Sequence, residues 1–453
     1  MPSRLPGAPT AAERERIVCH VDIDCFYAAC ERLREPELRG EPVVVGMGYE
    51  PGDSRGAVAT ASYEAREYGV ESAMGIEEAL ERLPRIEDED GASESEREGI
   101  GYYRPVDIEF YEEVAEDIRA ILYEHGDVVR KVSIDEAYLD VSETTGWEFV
   151  EGFARHLKRR IATEIGVTAS VGIAPTMSAA KVASDREKPD GLVIVEPGDV
   201  RTFLAPIPVE DVHGVGPVTA RELRELEIET AGDLAEAEPG ILGDRFGARG
   251  RELGRRARGL DDREVTPRGD PKSYSRESTF AGDEEDPERK RERIRTLAEA
   301  VAERVERTNA LYRTVGVKAV VPPYDVNTRE RSLPSPTDDP SVVEREALAL
   351  IAEFDDVPVR KVGVRVSNLS FPPGEQGRLG SDWSTDADDD TYEGESALNE
   401  SGSDEVDSEP DRTEESDRTD RFVRSESFVG QTRLSDFSVG VDAGESTDSP
   451  HVG

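Results

Sequence analysis

The sequence predicts a chain of several α/β domains, and three observations support this fold class. Residues 17–195 alternate between short β-favouring runs and segments with helical spacing of apolar residues, which is typical of a mixed sheet covered by helices. A second α/β pattern follows at 272–371, after a helical, glycine-punctuated stretch at 197–262. The 453 residues are also too many for one hydrophobic core, so we expect about two to four domains.

The elements of the first α/β segment follow from periodicity and breakers. Residues 1–16 are polar and lack an apolar pattern, so we expect a flexible arm. The predicted strands cover 17–24, 42–46, 56–60, a pair within 128–141, 167–173 and 192–195. The predicted helices cover 26–34, 63–68, 76–83, 110–123, 153–165 and 177–184. An acidic, serine-rich loop without a core pattern interrupts them at 87–98.

The rest of the chain divides into a linker, a second α/β domain and a tail. A polar linker with two prolines is predicted at 263–271. Strands at 274–280, 314–321, 327–333 and 359–369 and helices at 287–309 and 340–354 give a βαββαβ order. Beyond 372 the chain has too few apolar residues to offset the entropy of ordering, so we predict a disordered acidic tail over 372–453.

Acidic residues dominate the composition. The chain has 100 Asp and Glu against 56 Lys and Arg, a formal charge of −44, and only 8 of its basic residues are lysine. This balance is typical of a solvated acidic surface, as in halophile proteins, and a basic partner is the alternative. An acidic protein repels nucleic acid in dilute salt, but strong salt screens that repulsion, so that local arginine patches decide.

Cysteine usage and hydropathy predict a cytoplasmic protein. The three cysteines, Cys19, Cys25 and Cys30, are odd in number and follow no secretory segment, so we expect reduced thiols. No apolar run approaches the ~18 residues that cross a membrane. The five histidines are dispersed, and a zinc site is not expected.

Two acidic segments predict a metal site. They read HVDIDCFY at 20–27 and SIDEAYLD at 133–140, with carboxylates inside apolar, β-favouring runs. An unpaired charge in such a run is costly to bury, so Asp22, Asp135 and Glu136 indicate a bound cation, and hard oxygen ligands suit Mg²⁺. Taken alone, Asp22 could be a strand-end charge and Asp135-Glu136 a hairpin turn.

Four motifs in order resemble the Y-family translesion DNA polymerases of the DNA polymerase IV (DinB) type. They are HVDIDCFYAA at 20–29, AVATASYEAR at 57–66, SIDEAYLD at 133–140 and KPDG at 188–191. The resemblance covers about 17–371 and, with the acidic composition, suggests a halophilic archaeon as the source. It implies a right-hand fold, with a palm at 17–25 and 100–196, fingers at 26–99, a thumb at 197–262 and a little finger at 272–371. The loop at 87–98 departs from the family pattern.

The resemblance also implies the activity. The chain is expected to perform low-fidelity, template-directed DNA synthesis past damaged bases, with dNTPs and a primer–template as substrates, in DNA repair and damage tolerance. Asp22, Asp135, Glu136 and the backbone carbonyl of Ile23 would hold two Mg²⁺ ions per active site. Such ions activate the primer 3′-hydroxyl and stabilise the charge that develops as pyrophosphate leaves.

Further motif positions imply substrate contacts. Tyr27 matches the steric gate that would collide with a ribose 2′-hydroxyl, although a core aromatic is the alternative. The predicted nucleotide-binding residues are Phe26, Thr60, Tyr63, Arg66 and Lys188. Tyr63 and Arg66 share a helix face, and an arginine can offer two donors to phosphate oxygens. Asp24 and Asp140 are interpreted as structural.

A glycine hairpin and an arginine cluster predict DNA contacts. HGVGP at 213–217 resembles a helix-hairpin-helix motif, in which Gly214 and Gly216 let backbone N–H groups approach a phosphate; an ordinary glycine turn is the alternative. Residues 245–258 hold six arginines with only Glu252 opposing, among them Arg245, Arg249 and Arg255. We expect phosphate contact, the alternative being a helix paired with surrounding acids. Arg365 is a further candidate.

One apolar island in the tail predicts a partner. QTRLSDF at 431–437 matches the sliding-clamp-binding peptide called a PIP box, with Gln431, Leu434 and Phe437 as anchors. Ser438 stands where a second aromatic is common, which would weaken binding. On a disordered tether the motif would raise the local concentration of the enzyme at a PCNA-type clamp. We expect a monomer.

Two alternatives stay open at this point. One is another palm-type nucleotidyltransferase or nucleotide cyclase, which shares paired carboxylates but does not need the glycine hairpin, the arginine cluster or the last α/β domain. The other is a catalytically inactive scaffold bound to the clamp and to DNA. The presence of all three carboxylates argues against the scaffold.

Overall fold

The computed structural model describes residues 15–52, 54, 56–86 and 99–371. The chain divides into two compact units, the first of which runs to Gly269 and the second of which begins at Asp270. This division falls inside the predicted linker. The loop at 87–98, most of the predicted arm, and the tail with Gln431, Leu434 and Phe437 lie outside the described residues.

The first unit contains eight of the strands and ten of the α-helices that the structure describes. Its strands are β1 (Val18–Ile23), β2 (Val43–Gly46), β3 (Val58–Ala61), β4 (Tyr102–Arg104), β5 (Val128–Lys131), β6 (Glu136–Asp140), β7 (Ala169–Ala174) and β8 (Leu192–Ile194). Its helices are α1 (Phe26–Arg34), α2 (Tyr63–Glu67), α3 (Ile76–Arg82), α4 (Ile108–His125), α5 (Val150–Arg160), α6 (Met177–Asp185), α7 (Val200–Leu204), α8 (Pro217–Glu225), α9 (Ala231–Glu236) and α10 (Pro239–Ala257). None of the helices in the described ranges has a stretch long and apolar enough to cross a bilayer.

A five-stranded sheet in the order β5-β6-β1-β7-β8 forms the centre of this unit. Strand β1 lies in the middle and pairs antiparallel with both β6 and β7. All six of its residues are buried, and α6 packs across β1 and β7 on one face of the sheet. Thr176 caps that helix by accepting a hydrogen bond from the Ala179 N–H, which fixes where α6 begins. The carboxylates of β1 and β6 therefore lie on a rigid frame.

A smaller sheet in the order β3-β2-β4 follows β1 and α1. Strand β2 pairs antiparallel with β3 and parallel with β4. The sequence analysis did not predict β4, because it is only three residues long and lacks an alternating pattern. Ser62 caps α2 through the Ala65 N–H, at 3.3 Å, and so sets the start of the helix that carries Tyr63 and Arg66.

The helical stretch after 197 contains α7 to α10. Thr230 and Asp233 form a reciprocal capping box at the start of α9. Gly247 has a φ of 65° and breaks the regular helix inside α10, a conformation that favours glycine. The prediction of a helical, glycine-punctuated segment is confirmed.

The second unit has the predicted βαββαβ order. It consists of β9 (Ser273–Glu284), α11 (Pro287–Arg307), β10 (Tyr312–Val321), β11 (Asp325–Thr337), α12 (Pro340–Ile351) and β12 (Val359–Ser367). The antiparallel sheet has the order β11-β10-β12-β9, and both helices pack on one of its faces. Each helix begins with an aspartate cap followed by proline, at Asp286 and Asp339. Strands β9 and β11 are longer than predicted.

Lys290 on α11 is fully buried, which is rare for lysine. Its ammonium donates hydrogen bonds to the carbonyl oxygens of Phe354 at 3.1 Å, Asp355 at 3.1 Å and Val357 at 2.8 Å. These carbonyls follow α12, and among them the Phe354 oxygen also accepts a hydrogen bond from the Val357 N–H at 3.2 Å. The lysine thus gives the polar groups at the end of this helix a partner that burial would otherwise make costly to leave out.

Candidate active site

The three carboxylates predicted to bind metal meet where β1 and β6 lie side by side. Asp22 and Glu136 are directly opposite each other in the antiparallel register. Asp135 immediately precedes β6, and its carbonyl oxygen accepts a hydrogen bond from the Ile23 N–H at 3.1 Å. The Ser133 hydroxyl donates to Asp135 Oδ1 at 2.6 Å and accepts from the Glu136 N–H at 3.1 Å. The sheet therefore brings two distant sequence segments to one place.

Two lysines bind this carboxylate cluster. The Lys181 ammonium lies 3.0 Å from Asp22 Oδ2 and 2.5 Å from Glu136 Oε1. The Lys188 ammonium lies 2.7 Å from Asp22 Oδ1 and 2.9 Å from Asp185 Oδ1. Sequence reasoning chose Lys188 and missed Lys181. The scarcity of lysine could have indicated both, since Lys181 is also one of only eight in the chain.

Burial and the lysines move the carboxyl pKa values in different directions. Burial by itself would raise the pKa of Asp22, but the ammonium groups of Lys181 and Lys188 hold it well below its usual value. Burial raises the pKa of Glu136 to about 8, against the opposing effect of Lys181. Burial also raises the pKa of Asp135, although the Ser133 hydrogen bond partly offsets this. Several carboxylates lie close together in this half-buried site, so the binding of a further cation is favoured.

The donor set fits a hard divalent cation. Asp22, Asp135 and Glu136 supply carboxylate oxygens, and Ile23 at the end of β1 adds a backbone carbonyl, all ligands that Mg²⁺ prefers. Within the described ranges no three acidic, histidine or cysteine side chains are already arranged as a closed metal cage. The Lys181 ammonium contacts oxygens of Asp22 and Glu136 that a metal ion would use.

Asp24 holds the turn that carries Lys188. Its carboxylate accepts hydrogen bonds from the Ser170 hydroxyl at 2.7 Å and from the Asp190 N–H at 2.8 Å. The Lys158 ammonium binds the same turn, 2.9 Å from the Gly191 carbonyl oxygen. These contacts agree with a structural interpretation of Asp24. Asp140 accepts from the Ser142 N–H and hydroxyl at the other end of β6.

The predicted steric gate lies at the start of α1, next to the carboxylates. Phe26 and Tyr27 are both buried. The Tyr27 ring stacks on the ring of Tyr111, which belongs to α4. Tyr111 in turn donates a hydrogen bond from its hydroxyl to the buried carboxylate of Glu31, at 2.7 Å. Sequence reasoning did not single out Tyr111 or Glu31.

The residues predicted to bind the triphosphate lie on β3 and α2. The Tyr63 hydroxyl donates to Asp24 Oδ1 at 3.4 Å, which links α2 to the end of β1. The Arg66 guanidinium lies over the Tyr63 ring, 4.8 Å from its centroid, and donates to the Ala61 carbonyl oxygen at 3.1 Å. Thr60 is half-buried on β3. The Arg66 guanidinium is thus linked to the residue that follows β1 through the Tyr63 ring and its hydroxyl.

The arginine cluster on α10 has more acidic partners than its local sequence indicates. Arg245 pairs with Glu222 and Glu225 of α8, at 3.1 and 3.2 Å. Arg255 pairs with Asp262. The expectation that only Glu252 opposes these arginines is therefore wrong, because acids from neighbouring elements reach them.

The glycine hairpin contacts this cluster through Arg249. The Arg249 guanidinium donates to the Gly214 carbonyl oxygen at 2.8 Å. Gly214 has a φ of 95°, and Gly216 immediately precedes α8.

The second unit carries the remaining predicted DNA contact, Arg365. It is an exposed residue of β12 between the buried Val364 and Val366, and so it points away from the helices.

Comparison with known proteins identifies the family. Models of the impB/mucB/samB family match residues 21–185, its HHH motif matches 197–228 and its C-terminal domain matches 271–379. DNA polymerase IV of Halobacterium salinarum is 62% identical over 376 residues, which cover 83% of this chain and 90% of that protein. DNA polymerase IV of Methanoculleus marisnigri is 43% identical over 355 residues, which cover 78% of this chain and 94% of that protein.

Solved structures agree with this assignment. The Y-family DNA polymerase chimera Dbh-Dpo4(243-245)-Dbh is 28% identical, with a TM-score of 0.69, over 78% of this chain and 99% of the other. DinB from Sulfolobus solfataricus is 28% identical, with a TM-score of 0.53 and the same coverage. The chain therefore belongs to the Y family of DNA polymerases, of the DNA polymerase IV (DinB) type, and is a DNA-directed DNA polymerase of translesion synthesis.

Proposed function

We propose that this polymerase transfers a nucleotide from a dNTP to a primer 3′-hydroxyl at Asp22, Asp135 and Glu136. The observation that carries the proposal is the pairing of Asp22 with Glu136 across β1 and β6, with Asp135 bonded to Ile23 beside them. These residues and the Ile23 carbonyl would hold two Mg²⁺ ions. When bound, such ions would supply the Lewis acidity that activates the hydroxyl and stabilises the leaving pyrophosphate.

The protein's own cations would bind the triphosphate. Lys188 binds Asp22 directly. Arg66 lies over the ring of Tyr63, whose hydroxyl donates to Asp24. A triphosphate would replace Asp22 as the partner of Lys188. Thr60 on β3 and Tyr63 and Arg66 on α2 would contact the same triphosphate. Arginine suits this role because its fork offers two parallel donors to phosphate oxygens.

Sugar selection would fall to Tyr27, with Phe26 beside it. Both side chains are buried at the start of α1, immediately after the carboxylate strand. A rigid aromatic wall here would collide with a 2′-hydroxyl and accept deoxyribose, because the ring cannot move away from its stack on Tyr111.

DNA would bind through three further surfaces. The hairpin at Gly214 and Gly216 offers backbone N–H groups, and Arg249 lies against it. Arg245 and Arg255 would exchange carboxylate partners for phosphates, which favours sequence-independent contact. Arg365 would add a contact from the second unit, which we propose as the little finger at 272–371. The palm (17–25 and 100–196), fingers (26–99) and thumb (197–262) assignments belong to the same proposal.

A sliding clamp of the PCNA type is the proposed protein partner. The support is the spacing of Gln431, Leu434 and Phe437, which would place the last two on one face of a helical turn. Deletion of 431–437 would abolish clamp stimulation of primer extension and leave extension without clamp unchanged. Stimulation that survives the deletion would contradict this part. We infer a monomer that acts in the cytoplasm, where its DNA substrate lies.

Primer extension tests the central proposal. Glu136→Gln keeps the shape of the side chain and removes one metal-ligand charge, so we expect Mg²⁺-dependent extension to fall by at least about 10³-fold, or ~4 kcal/mol. Glu143→Gln, an exposed change of the same kind just beyond β6, is the matched control. Extension by Glu136→Gln at the level of the control would refute the carboxylate assignment.

A further inference from the structure

Lys181 occupies the centre of the carboxylate cluster. It is carried by α6, and its ammonium contacts Asp22 Oδ2 and Glu136 Oε1 at 3.0 and 2.5 Å. Helix α6 packs across β1 and β7, so the side chain reaches the carboxylates from a fixed support. One ammonium thus bridges the two strands that supply the proposed metal ligands.

Asp185 gives Lys181 another partner, outside the proposed ligand set. It lies four residues further along α6, and its carboxylate is 3.3 Å from the Lys181 ammonium. Asp185 is also the partner of Lys188, at 2.9 Å. A small rotation of the flexible lysine side chain would release Asp22 and Glu136 while an ion pair with Asp185 remains.

We propose that Lys181 is a positioning residue that acts as an exchangeable counter-ion of the metal site. Its ammonium holds Asp22 and Glu136 together while no divalent ion is bound, and moves to Asp185 when an ion binds. This inference rests on the proposed function, since it takes Asp22, Asp135 and Glu136 as the metal ligands. An ammonium and a divalent cation that share these oxygens lie close together and repel each other, so the two cations compete.

Competition between the two cations predicts that loss of the Lys181 charge lowers the stability of the metal-free protein but tightens metal binding. Removal of the Lys181 charge leaves nearby carboxylates to repel one another, so the metal-free protein becomes less stable. The same removal takes away the competitor and a like charge, so a divalent ion binds more tightly. A purely structural lysine would lower both stability and metal affinity, because a distorted site binds less well.

The test uses Lys181→Met and Lys181→Gln in the full chain, without DNA or nucleotide and at one fixed salt concentration. Free Mn²⁺ is measured by electron paramagnetic resonance, and thermal unfolding is measured in EDTA. We expect the Mn²⁺ dissociation constant to fall about tenfold and the unfolding temperature in EDTA to fall. Lys318→Met removes an ion-paired lysine from the second unit and should leave Mn²⁺ binding unchanged.

A double-mutant cycle tests the exchange itself. Asp185→Asn removes the alternative partner, so it should weaken Mn²⁺ binding more in the unmodified chain than in the Lys181→Met background. Equal weakening in both backgrounds would show that Asp185 does not receive the ammonium and would overturn the exchange.

Two failures are distinguishable. If Glu136→Gln does not weaken Mn²⁺ binding, the carboxylates are not the metal site, and the proposed function fails with this inference. If Glu136→Gln weakens Mn²⁺ binding but neither Lys181 variant tightens it, the counter-ion inference alone is overturned. Lys181→Gln can still donate hydrogen bonds to both carboxylates, so the question is decided even where Lys181→Met does not fold.

Discussion

The aromatic ring of Tyr27 lies nearly flat against that of Tyr111, with ring centroids 4.5 Å apart and 22° between the planes. The two residues come from α1 and α4, and the Tyr111 hydroxyl is anchored on Glu31, one turn further along α1. The proposed sugar-selecting residue is therefore held from behind by a second aromatic ring, which is itself fixed by a buried carboxylate.

Replacement of Tyr27 should relax sugar discrimination. In Tyr27→Ala the wall against a 2′-hydroxyl is gone, and relief of a clash of about 1–3 kcal/mol corresponds to a rise of roughly 5- to 150-fold in ribonucleotide over deoxyribonucleotide incorporation. Single-nucleotide primer extension measures the ratio. Tyr123→Ala, which removes an exposed aromatic of α4, should leave it unchanged. An unaltered ratio in Tyr27→Ala would defeat the steric-gate assignment.

Tyr111 variants separate the stack from its anchor. Tyr111→Phe keeps the ring and leaves the buried Glu31 carboxyl without its donor, so we expect a loss of about 1–3 kcal/mol in unfolding free energy with sugar discrimination retained. Tyr111→Leu removes the stack and should raise ribonucleotide incorporation. Denaturant unfolding and single-nucleotide extension report the two effects. Full discrimination in Tyr111→Leu would show that Tyr27 needs no support from behind.

Asp261 should contribute stability that depends on pH. It is buried, accepts a hydrogen bond from the Ser178 N–H of α6 and pairs with Arg263 at 2.9 Å. Burial alone would raise the pKa of Asp261, but the Arg263 hydrogen bonds and charge hold it well below its usual value. A depressed pKa in the folded state stabilises the protein above the unfolded-state pKa of about 3.9, and that stability is lost as the pH falls through the folded-state value.

Asp261→Asn is the matching variant. We expect its unfolding free energy at pH 7 to be lower than that of the unmodified chain by about 3 kcal/mol, with the difference shrinking below pH ~4. Denaturant unfolding across pH measures this. A difference that stays constant from pH 7 to pH 3 would mean that the carboxylate charge does not contribute.

Glu277 should restrain DNA binding by the second unit. Its carboxylate lies across Gly363 and pairs with Lys318 at 3.0 Å and with Lys361 at 2.8 Å. Glu277→Gln would remove the negative charge that lies beside both ammonium groups, which favours phosphate contact. Since each phosphate neutralised adds about 0.9 to the slope of log K against log salt, we expect tighter primer–template binding and a slope steeper by about 1–2.

Fluorescence anisotropy at several salt concentrations tests this prediction. Glu299→Gln, an exposed change on α11, is the control and should leave the slope unaltered. An unchanged slope in Glu277→Gln would mean that these lysines do not meet DNA.

The metal-binding role of the carboxylates could be proposed from sequence because these charged residues lie within apolar, β-favouring runs. Asp22 lies in a run whose six residues are all buried, and a charge in such a place requires a reason. The βαββαβ order of the second unit was equally predictable, since its helices are long and begin with Asp-Pro caps. In both cases the signal is contained in neighbouring residues.

Contacts between elements distant in sequence could not be predicted in this way. Lys181 resembles an ordinary helix lysine until α6 is packed on β1, and only then does it reach Asp22 and Glu136. Arg245 appears unopposed within α10, because the acids that neutralise it belong to α8. A count of charges in one sequence segment gives no information on which helices pack against it.

The buried ammonium of Lys290 limits how such a chain can adapt. Three carbonyl oxygens surround a point-like charge there, and the broad, planar guanidinium of arginine does not match that arrangement. Arginine, which greatly outnumbers lysine in this chain, is therefore a poor substitute for lysine at this position. Amine-directed dyes, which need an accessible nitrogen, should spare this position.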